Sequence, residues 1–438
     1  MWSATRAIGL LLLCLTADVS SSTATEKTLT VQEAVATALI QHPTLRIGTT
    51  AIEAAQAQVR QQIAGYLPRG AYTYAFNRRQ QPLSSAVSGI QVGNGVQPRA
   101  VAQIYNYNTT NFTMSQLLFD FGRTLDNIRA ASASVEASTA DLETTRQTVI
   151  FNVKQAYYGL LSSQHLLRVA EETLRQNQQH LENAEARFEV GVAPRFDVTQ
   201  AQVQVSTAEL DLVTARNNVE LGQATLLTAM GVNEPFDFLL VDAPDYRLVT
   251  IDEQGIVQQA YLTRSELHSL RAQQQAATRQ ISSLQKQMLP AISGNAQYNW
   301  TGREYPLQQG WIIGVLLTVP LFDDILTVAQ VGEAQANLRN LEAQEDNLKQ
   351  QIALEVRSSL LEVRRAEQSI RVSEQTVIHA RENLNLAEGR YSAGVGSIIE
   401  VTDAQVSFSS ARANAIQAVY SHKTALAQLE KALGRSLD

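Results

Sequence analysis

The chain contains one sixteen-residue pattern twice. RFEVGVAPRFDVTQAQ at 187–202 returns as RYSAGVGSIIEVTDAQ at 390–405, displaced by 203 positions. The same displacement aligns the Leu-Phe-Asp triplet at 118–120 with the one at 321–323, and the alignment needs no insertion from the triplet to the pattern. Self-similarity over such a length indicates two copies of one structural unit. The fold must therefore be one that a duplicated unit can build.

The copies differ in length near their beginnings. The Leu-Pro pairs at 67–68 and 289–290 are 222 positions apart, so the first copy carries 19 additional residues. They fall near 80–98, which is rich in Gly, Ser and Pro and therefore typical of an exposed loop. We expect a first repeat over 25–231, a linker over 232–252 and a second repeat over 253–438.

The N-terminus has the pattern of a secretory signal peptide. Arg6 precedes the apolar run 7–15, and the small residues of 20–24 offer a cleavage site. We therefore expect residues 1–24 to be removed on export, into a bacterial envelope. Cys14 is the only cysteine, which excludes a disulfide within the chain and a cysteine-based zinc site.

Composition excludes several classes of protein. The net charge of −7 is mild and spread along the chain, so no nucleic-acid partner is expected. Beyond the N-terminus no apolar run reaches 18 residues, which argues against membrane-spanning helices. The six histidines and four methionines are scattered, and no nucleophile–base pattern occurs. We expect no metal, no cofactor and no enzymatic activity.

Each copy carries a seven-residue hydrophobic repeat in which large residues are followed, three positions later, by small ones. Such a repeat predicts supercoiled helices, and the small residues allow close approach of the helix axes. Gly191 and Gly394 interrupt the repeat and are expected at the tips of antiparallel helical hairpins, because glycine favours the left-handed conformation that ends a helix. The large positions are Val153, Leu160, Leu167, Leu174, Leu181 and Phe188 in the first copy and Val356, Val363, Ile370, Val377, Leu384 and Tyr391 in the second.

The expected helix lengths are unequal. A helix over about 125–190 would measure roughly 100 Å, whereas the helices expected over 31–65 and 197–230 are about half as long. Two short helices stacked end to end would match one long helix. Such a hairpin is too long for a globule and suggests a rod or the wall of a tube.

Between the helices, the period changes to two. Polar and apolar residues alternate, with aromatic residues near the ends, in 70–77, 105–119, 293–300 and 311–319. This pattern is typical of transmembrane β-strands, and Pro68, Pro290 and Pro320 separate them from the helices. Four strands cannot close a barrel, and an open edge in lipid is costly. We therefore expect oligomerisation, with three chains supplying twelve strands.

These features, in this order, resemble the TolC-type outer-membrane efflux proteins over essentially the whole mature chain. The resemblance rests on the signal peptide, the tandem units, LP before each first strand, LFD after each second strand, and the ARF/GRY glycine patterns at the tips. It implies a mixed fold: a homotrimer with a twelve-stranded β-barrel in outer-membrane lipid and a long α-helical coiled-coil barrel, or tunnel, across the periplasm. It also implies a duct that docks a periplasmic adaptor and an inner-membrane pump to expel small molecules.

The resemblance also implies a pore constriction. Glu400 and Asp403 match the acidic rings of the family, and their spacing of three residues puts them on one helix face. In a trimer they would form two stacked rings that favour cations. The alternative is structural, since acids in the first turn of any helix stabilise its dipole.

For the gate, the family links a Tyr and an Arg of the second hairpin to an Asp of the first. Tyr391 and Asp197 match, but the arginine position is Gly396, so that link is absent and we expect Arg195 as the substitute. Tyr391 also completes a heptad seam, which leaves a purely structural role open.

Adaptors of this family grip the hairpin tips, which here correspond to Arg187, Gly191, Arg390 and Gly394. Two rival functions remain at this point. A duct for one-step protein secretion would use the same tunnel. A secreted coiled-coil scaffold would need the heptads but neither the alternating strands nor the duplication.

Overall fold

A computed structural model describes residues 27–82, 102–233, 238–242, 253–321 and 324–436. The signal peptide expected over 1–24, most of the additional loop near 80–98, and Phe322 and Asp323 of the second triplet lie outside the described residues.

The described residues fold as two successive units with the same order of helices and strands. The first contains β1 (Lys27–Leu29), α1 (Val31–Gln41), α2 (Pro43–Ile63), β2 (Arg69–Pro82), β3 (Ala102–Phe119), α3 (Arg123–Glu189) and α4 (Arg195–Met230). The second contains β4 (Phe238–Leu240), α5 (Glu253–Thr263), α6 (Ser265–Lys286), β5 (Ala291–Gly302), β6 (Gln308–Thr318), α7 (Asp324–Ser392) and α8 (Ile398–Leu433). In the part of the chain that is described, no helix is apolar over a length that could cross a membrane.

The single helix expected over 31–65 is wrong, because it is two helices broken at His42. The backbone of His42 is extended, and Pro43 is the first residue of α2. Proline is tolerated at that position because the N–H it lacks would have no partner within the helix. The second repeat breaks at the same place without a proline. Arg264 is extended, 5% exposed, and binds Glu266 and the carbonyl oxygens of Lys431 and Ala432. Arg264 occupies the position of His42 and Ser265 that of Pro43, so a buried arginine instead of a proline accompanies the break here.

The hairpin tips are confirmed. The 67 residues of α3 span about 100 Å, and Gly191 follows its last turn with a φ of 78°. Gly394 follows α7 in the same way with a φ of 75°. At both tips the next residue's amide donates to the carbonyl of an arginine five positions earlier, from Val192 to Arg187 in the first repeat. This pairing supplies the last carbonyls of the helix with donors.

The two repeats pack against each other along α3. α2 and α4 contact α3, while α6 and α8 of the second repeat contact it as well. The heptad prediction holds in the middle of the helices, where Val153, Leu160, Val356 and Ile370 are fully buried. Phe188, at the tip, is exposed. Ion pairs of Lys154 with Glu430 and of Arg412 with Glu172 join the repeats further along.

The four long strands form one antiparallel sheet in the order β2-β3-β5-β6, so the two hairpins join through β3 and β5. The register sets Tyr72, Phe112, Tyr298 and Trp311 in one row across the sheet. The neighbouring row on the opposite face contains Thr73, Asn111, Asn299 and Gly310. One face is therefore apolar and the other polar, and within the described chain β2 and β6 are its edges.

The linker expected over 232–252 contains a strand that is fixed to the helices. β4 pairs in parallel with β1, and the fully buried Tyr157 hydroxyl of α3 lies 2.8 Å from the Leu29 carbonyl oxygen and 2.7 Å from that of Val241. Asp242 then accepts hydrogen bonds from Tyr420 and Lys423 of α8. Burial opposes its ionisation, but these two donors hold the pKa of Asp242 below its usual value.

Replacing Tyr157 with phenylalanine should loosen β1 and β4 without unfolding the coil. The change removes the hydroxyl that connects α3 to the carbonyl oxygens of Leu29 and Val241. Buried carbonyl groups left without this partner should lower the local stability of the two strands by about 1–3 kcal/mol. Hydrogen exchange at residues 27–29 and 238–242 should accelerate, while exchange in β5 and β6 serves as the internal control. Unchanged protection of both short strands would contradict this account of the linker.

Candidate functional site at the hairpin tips

The tips of the two helical hairpins are joined by a hydrogen bond between Tyr391 and Asp197. The phenol at the end of α7 donates to the Asp197 carboxylate at the start of α4 over 3.2 Å. Burial, together with the Asp197 charge, raises the pKa of the Tyr391 phenol above its usual value. The phenol therefore remains protonated and able to donate at neutral pH. The two residues expected from the resemblance do lie together.

Arg187 makes the more extensive connection. Its Nη1 donates to the carbonyl oxygen of Tyr391 and its Nη2 to that of Ser392, each over 2.9 Å. The guanidinium carbon also lies 4.7 Å from the centre of the Tyr391 ring. The last carbonyls of a helix lack partners within the helix and carry its negative dipole end. Arg187 of α3 therefore binds the end of α7 by charge, hydrogen bonds and ring contact at once.

Arg195 does not take this role within the chain. Its side chain is exposed and forms no ion pair with a residue that the structure describes. Gly396, which occupies the family's arginine position, lies in a close approach: a Cβ there would come within 3.0 Å of the Arg390 Cβ and the Tyr391 nitrogen. A side chain at 396 would thus require the turn to move. The cation at this contact comes from Arg187 instead.

Sequence reasoning missed a second connection between the same helices. His180 Nε2 of α3 lies 3.5 Å from Glu388 Oε1 of α7, which becomes an ion pair when the imidazole is protonated. His180 is two helical turns before Arg187, so the two contacts are about 10 Å apart along α3. Between them runs a groove of about 690 Å³ lined by both pairs of residues.

The two acids expected at a constriction have different surroundings. Glu400 accepts a hydrogen bond from Arg390 Nε over 3.2 Å. Asp403, one turn further along α8, is exposed and has no ion-pair partner among the described residues. Val401 and Ala404 are buried against the coil, so both acids project from its open side. The charge of Glu400 is partly balanced within the chain, whereas that of Asp403 is not.

The glycines at the tips, Gly191 and Gly394, are exposed, and no atom lies within 4 Å of a Cβ built at either. Their left-handed backbone explains the glycines without a partner. Arg390 is exposed beside them, whereas Arg187 is half-buried against α7. Among the described residues no cluster of His, Cys, Asp and Glu is arranged to hold a metal ion.

Comparisons with known proteins agree with this architecture. A family model described as "Outer membrane efflux protein" matches residues 34–232 and 256–435. The chain is 23% identical over 418 residues to outer membrane protein TolC of Escherichia coli, covering 91% of this chain and 80% of that protein. It is 24% identical over 418 residues to the antibiotic efflux pump outer membrane protein ArpC of Pseudomonas putida, with coverages of 92% and 82%.

A solved structure shows the same fold. The crystal structure of a membrane protein from Pseudomonas aeruginosa superimposes with a TM-score of 0.80 at 22% identity, covering 92% of this chain and 93% of that one. The family model matches both repeats and most of the chain, and the fold is that of its solved channels. The chain is a member of the outer membrane efflux protein family.

Proposed function

We propose that three copies of the chain form an export duct that lies in the bacterial outer membrane and extends through the periplasm. The observation that carries this proposal is the four-stranded sheet. Its apolar face leaves Tyr72, Trp311, Ile313 and Val315 between 67% and 74% exposed, and its edges β2 and β6 are long. A lipid-facing wall needs such a face, and three sheets joined edge to edge give a closed barrel of twelve strands.

The helices would continue the barrel as a tunnel. All four strands join the helices at one end of the sheet, so α3 and α7 run about 100 Å away from the membrane, into the periplasm. The repeats over 25–231 and 253–438 of each chain would lie side by side in the tunnel wall, with α3 between them. Family membership supports outward transport, and we propose small molecules as the cargo.

The tips would form the closed end of the duct. We propose Glu400 and Asp403 as its constriction, and Tyr391 with Asp197 as a gate contact. Arg187 strengthens that contact within the chain. Arg195, which has no ion-pair partner among the described residues of its own chain, could act in the gate only through another subunit.

The same tips would receive a periplasmic adaptor that connects an inner-membrane pump. Gly191, Gly394 and Arg390 are exposed there, which supports docking. Arg187 lies at the same end but is engaged with α7, so we assign it to the gate rather than to the adaptor. No cofactor is proposed. Protein secretion in one step would use the same architecture.

The secreted coiled-coil scaffold is disfavoured by one specific observation. A scaffold in water would leave the row from Tyr72 to Trp311, and the apolar residues beside it, exposed without a purpose. Exposed apolar patches of this size mark a binding or membrane surface.

A pair of substitutions on β6 tests the proposal. Ile313 lies on the apolar face in the row of Met114, and Ile312 lies on the polar face in the row of Thr113. Ile313→Arg should abolish recovery of trimer from outer membranes and channel formation in planar bilayers, because arginine facing mid-bilayer lipid costs about 2–4 kcal/mol per strand.

Ile312→Arg is the matched control, since it places the same charge one residue away on the face turned to the lumen. It should yield membrane-inserted trimers that conduct. Equal behaviour of the two variants, or a wild-type protein that is monomeric and extracted without detergent, would rule out the duct.

A further inference from the structure

At the end of the sheet far from the helices, four side chains from β2, β3 and the residue that follows β5 form a continuous stack. The guanidinium carbon of Arg303, just beyond β5, lies 3.6 Å from the centre of the Tyr105 ring. The Tyr105 and Tyr107 rings of β3 meet edge to face with centres 6.3 Å apart. Arg79 of β2 completes the stack at 5.0 Å from the Tyr107 ring. We call these four residues the Arg–Tyr cluster.

The strand register sets the Arg–Tyr cluster on the polar face. Side chains alternate along a strand, and Tyr72, Tyr74 and Phe76 of β2 point to the apolar face. Arg79, three positions after Phe76, therefore points to the other face, about 10 Å further along the strand. Arg78 points to the apolar face. In the proposed duct, the cluster lies inside the barrel, at its external mouth.

Charge at this end of the sheet is mainly positive. Among the described residues at the ends of these strands, Arg78, Arg79 and Arg303 are cations, and Glu304 is the acid. Both arginines of the cluster are exposed. A trimer would place six of them around one mouth, and an enclosed lumen of low-dielectric walls focuses such a field. The opposite end of the duct carries the acids of α8.

Stacking on tyrosine prepares an arginine for anions. A guanidinium that packs against a ring keeps its positive charge and its planar fork of N–H donors, which matches the geometry of a carboxylate or phosphate. Tyrosine also fixes the arginine's long side chain, so less conformational freedom is lost on binding. The stack thus combines a positive charge, oriented donors and aromatic surface.

We propose that the Arg–Tyr cluster is an anion-binding site at the external mouth of the duct, for solutes that carry phosphate or carboxylate groups. This proposal rests on the duct described above. The site binds the anion in the lumen, because the cluster is on the polar face. A phosphate of a lipid headgroup would instead meet Arg78 on the apolar face.

Tripolyphosphate is the probe, applied to wild-type trimers in planar bilayers of neutral phosphatidylcholine. Protein added to one chamber leaves its helices, about 100 Å long, on that side, so the external mouth opens into the opposite chamber. Tripolyphosphate in that opposite chamber should block the current. Arg79→Gln with Arg303→Gln should raise the half-blocking concentration by roughly tenfold or more, as expected when charge-assisted hydrogen bonds are removed.

Arg78→Gln is the matched control, because it removes a positive charge one residue away on the apolar face. Its half-blocking concentration of tripolyphosphate should equal that of the wild type. Block that is unchanged in the double variant, or weakened equally by Arg78→Gln, would overturn the luminal site; the latter result would assign phosphate binding to the lipid side. A wild-type channel that conducts without any block would overturn the site and leave the duct intact. A wild-type protein that does not conduct at all would overturn both the anion site and the proposed duct.

Discussion

Arg187→Ala should open the closed duct and raise its single-channel conductance several-fold. The substitution removes two hydrogen bonds from a cation to the end of α7 and the contact with the Tyr391 ring. Hydrogen bonds to charged groups contribute about 1.5–3 kcal/mol, and the lower end applies to a half-buried group. Each 1.4 kcal/mol shifts a two-state population about tenfold. A rarely open tip would thus become frequently open.

The chain offers a close control in Arg195→Ala. Arg195 lies at the same tip and has the same charge, but makes no ion pair with a described residue of its chain. Its loss should leave the conductance of the closed channel unchanged; a rise would assign Arg195 to a gate contact with another subunit. Planar-bilayer recordings at low salt measure both variants, and thermal unfolding verifies that each is folded. Wild-type conductance in Arg187→Ala would contradict the assignment of Arg187 to the gate.

Two further variants separate the parts of this contact. Tyr391→Phe keeps the ring for Arg187 but removes the hydrogen bond to Asp197, so its effect should be smaller than that of Arg187→Ala. Arg187→Lys keeps the charge but cannot donate to both carbonyl oxygens in one plane. It should therefore lie between alanine and the wild type. If lysine restored the closed state fully, charge alone would hold the tip.

The features that the sequence predicts correctly, such as the hairpin tips and the strands, depend on short segments and on the duplication. The glycines at 191 and 394 mark the tips because a left-handed residue is needed there whatever surrounds it. The alternation in β5 and β6 predicts strands because it is a property of a single segment. The break at Pro43 is equally local, because proline favours the first position of a helix, yet the single helix expected over 31–65 ran through it.

The side-chain contacts between helices could not be predicted from short segments of the sequence. Arg187 and Tyr391 are 204 positions apart, and their contact depends on how the two hairpins are placed against each other. The same holds for His180 with Glu388 and for Arg264, whose partners lie on three helices. The repeat alignment made Arg187 and Arg390 equivalent. In the folded chain, one binds the neighbouring hairpin and the other binds Glu400 within its own.

The acids of α8 lead to a second large effect, in which Asp403 should outweigh Glu400. If both face the pore, Glu400→Gln with Asp403→Asn removes six carboxylates from a trimer and should abolish cation selectivity. Because Arg390 already balances part of the Glu400 charge, Asp403→Asn alone should lose more selectivity than Glu400→Gln alone. Reversal potentials in a salt gradient measure this, best at low ionic strength, where charges act over about 10 Å or more.

Arg390→Gln makes the test independent of simple loss of function, because it predicts a change in the opposite direction. Removing this cation exposes the full charge of Glu400, so cation selectivity should rise above that of the wild type. The structural alternative, in which the acids only stabilise the start of α8, predicts no change in selectivity. Its stability loss of about 0.3–1 kcal/mol is expected for Glu400 alone, because Asp403 lies beyond the first turn of α8, contrary to the sequence expectation. Arg390 donates to the Glu400 carboxylate and to the carbonyl oxygen of Val395, so an increase in selectivity on its removal would place this end of the second hairpin beside the ions that pass. Identical reversal potentials in all four variants and the wild type would place the acids outside the pore.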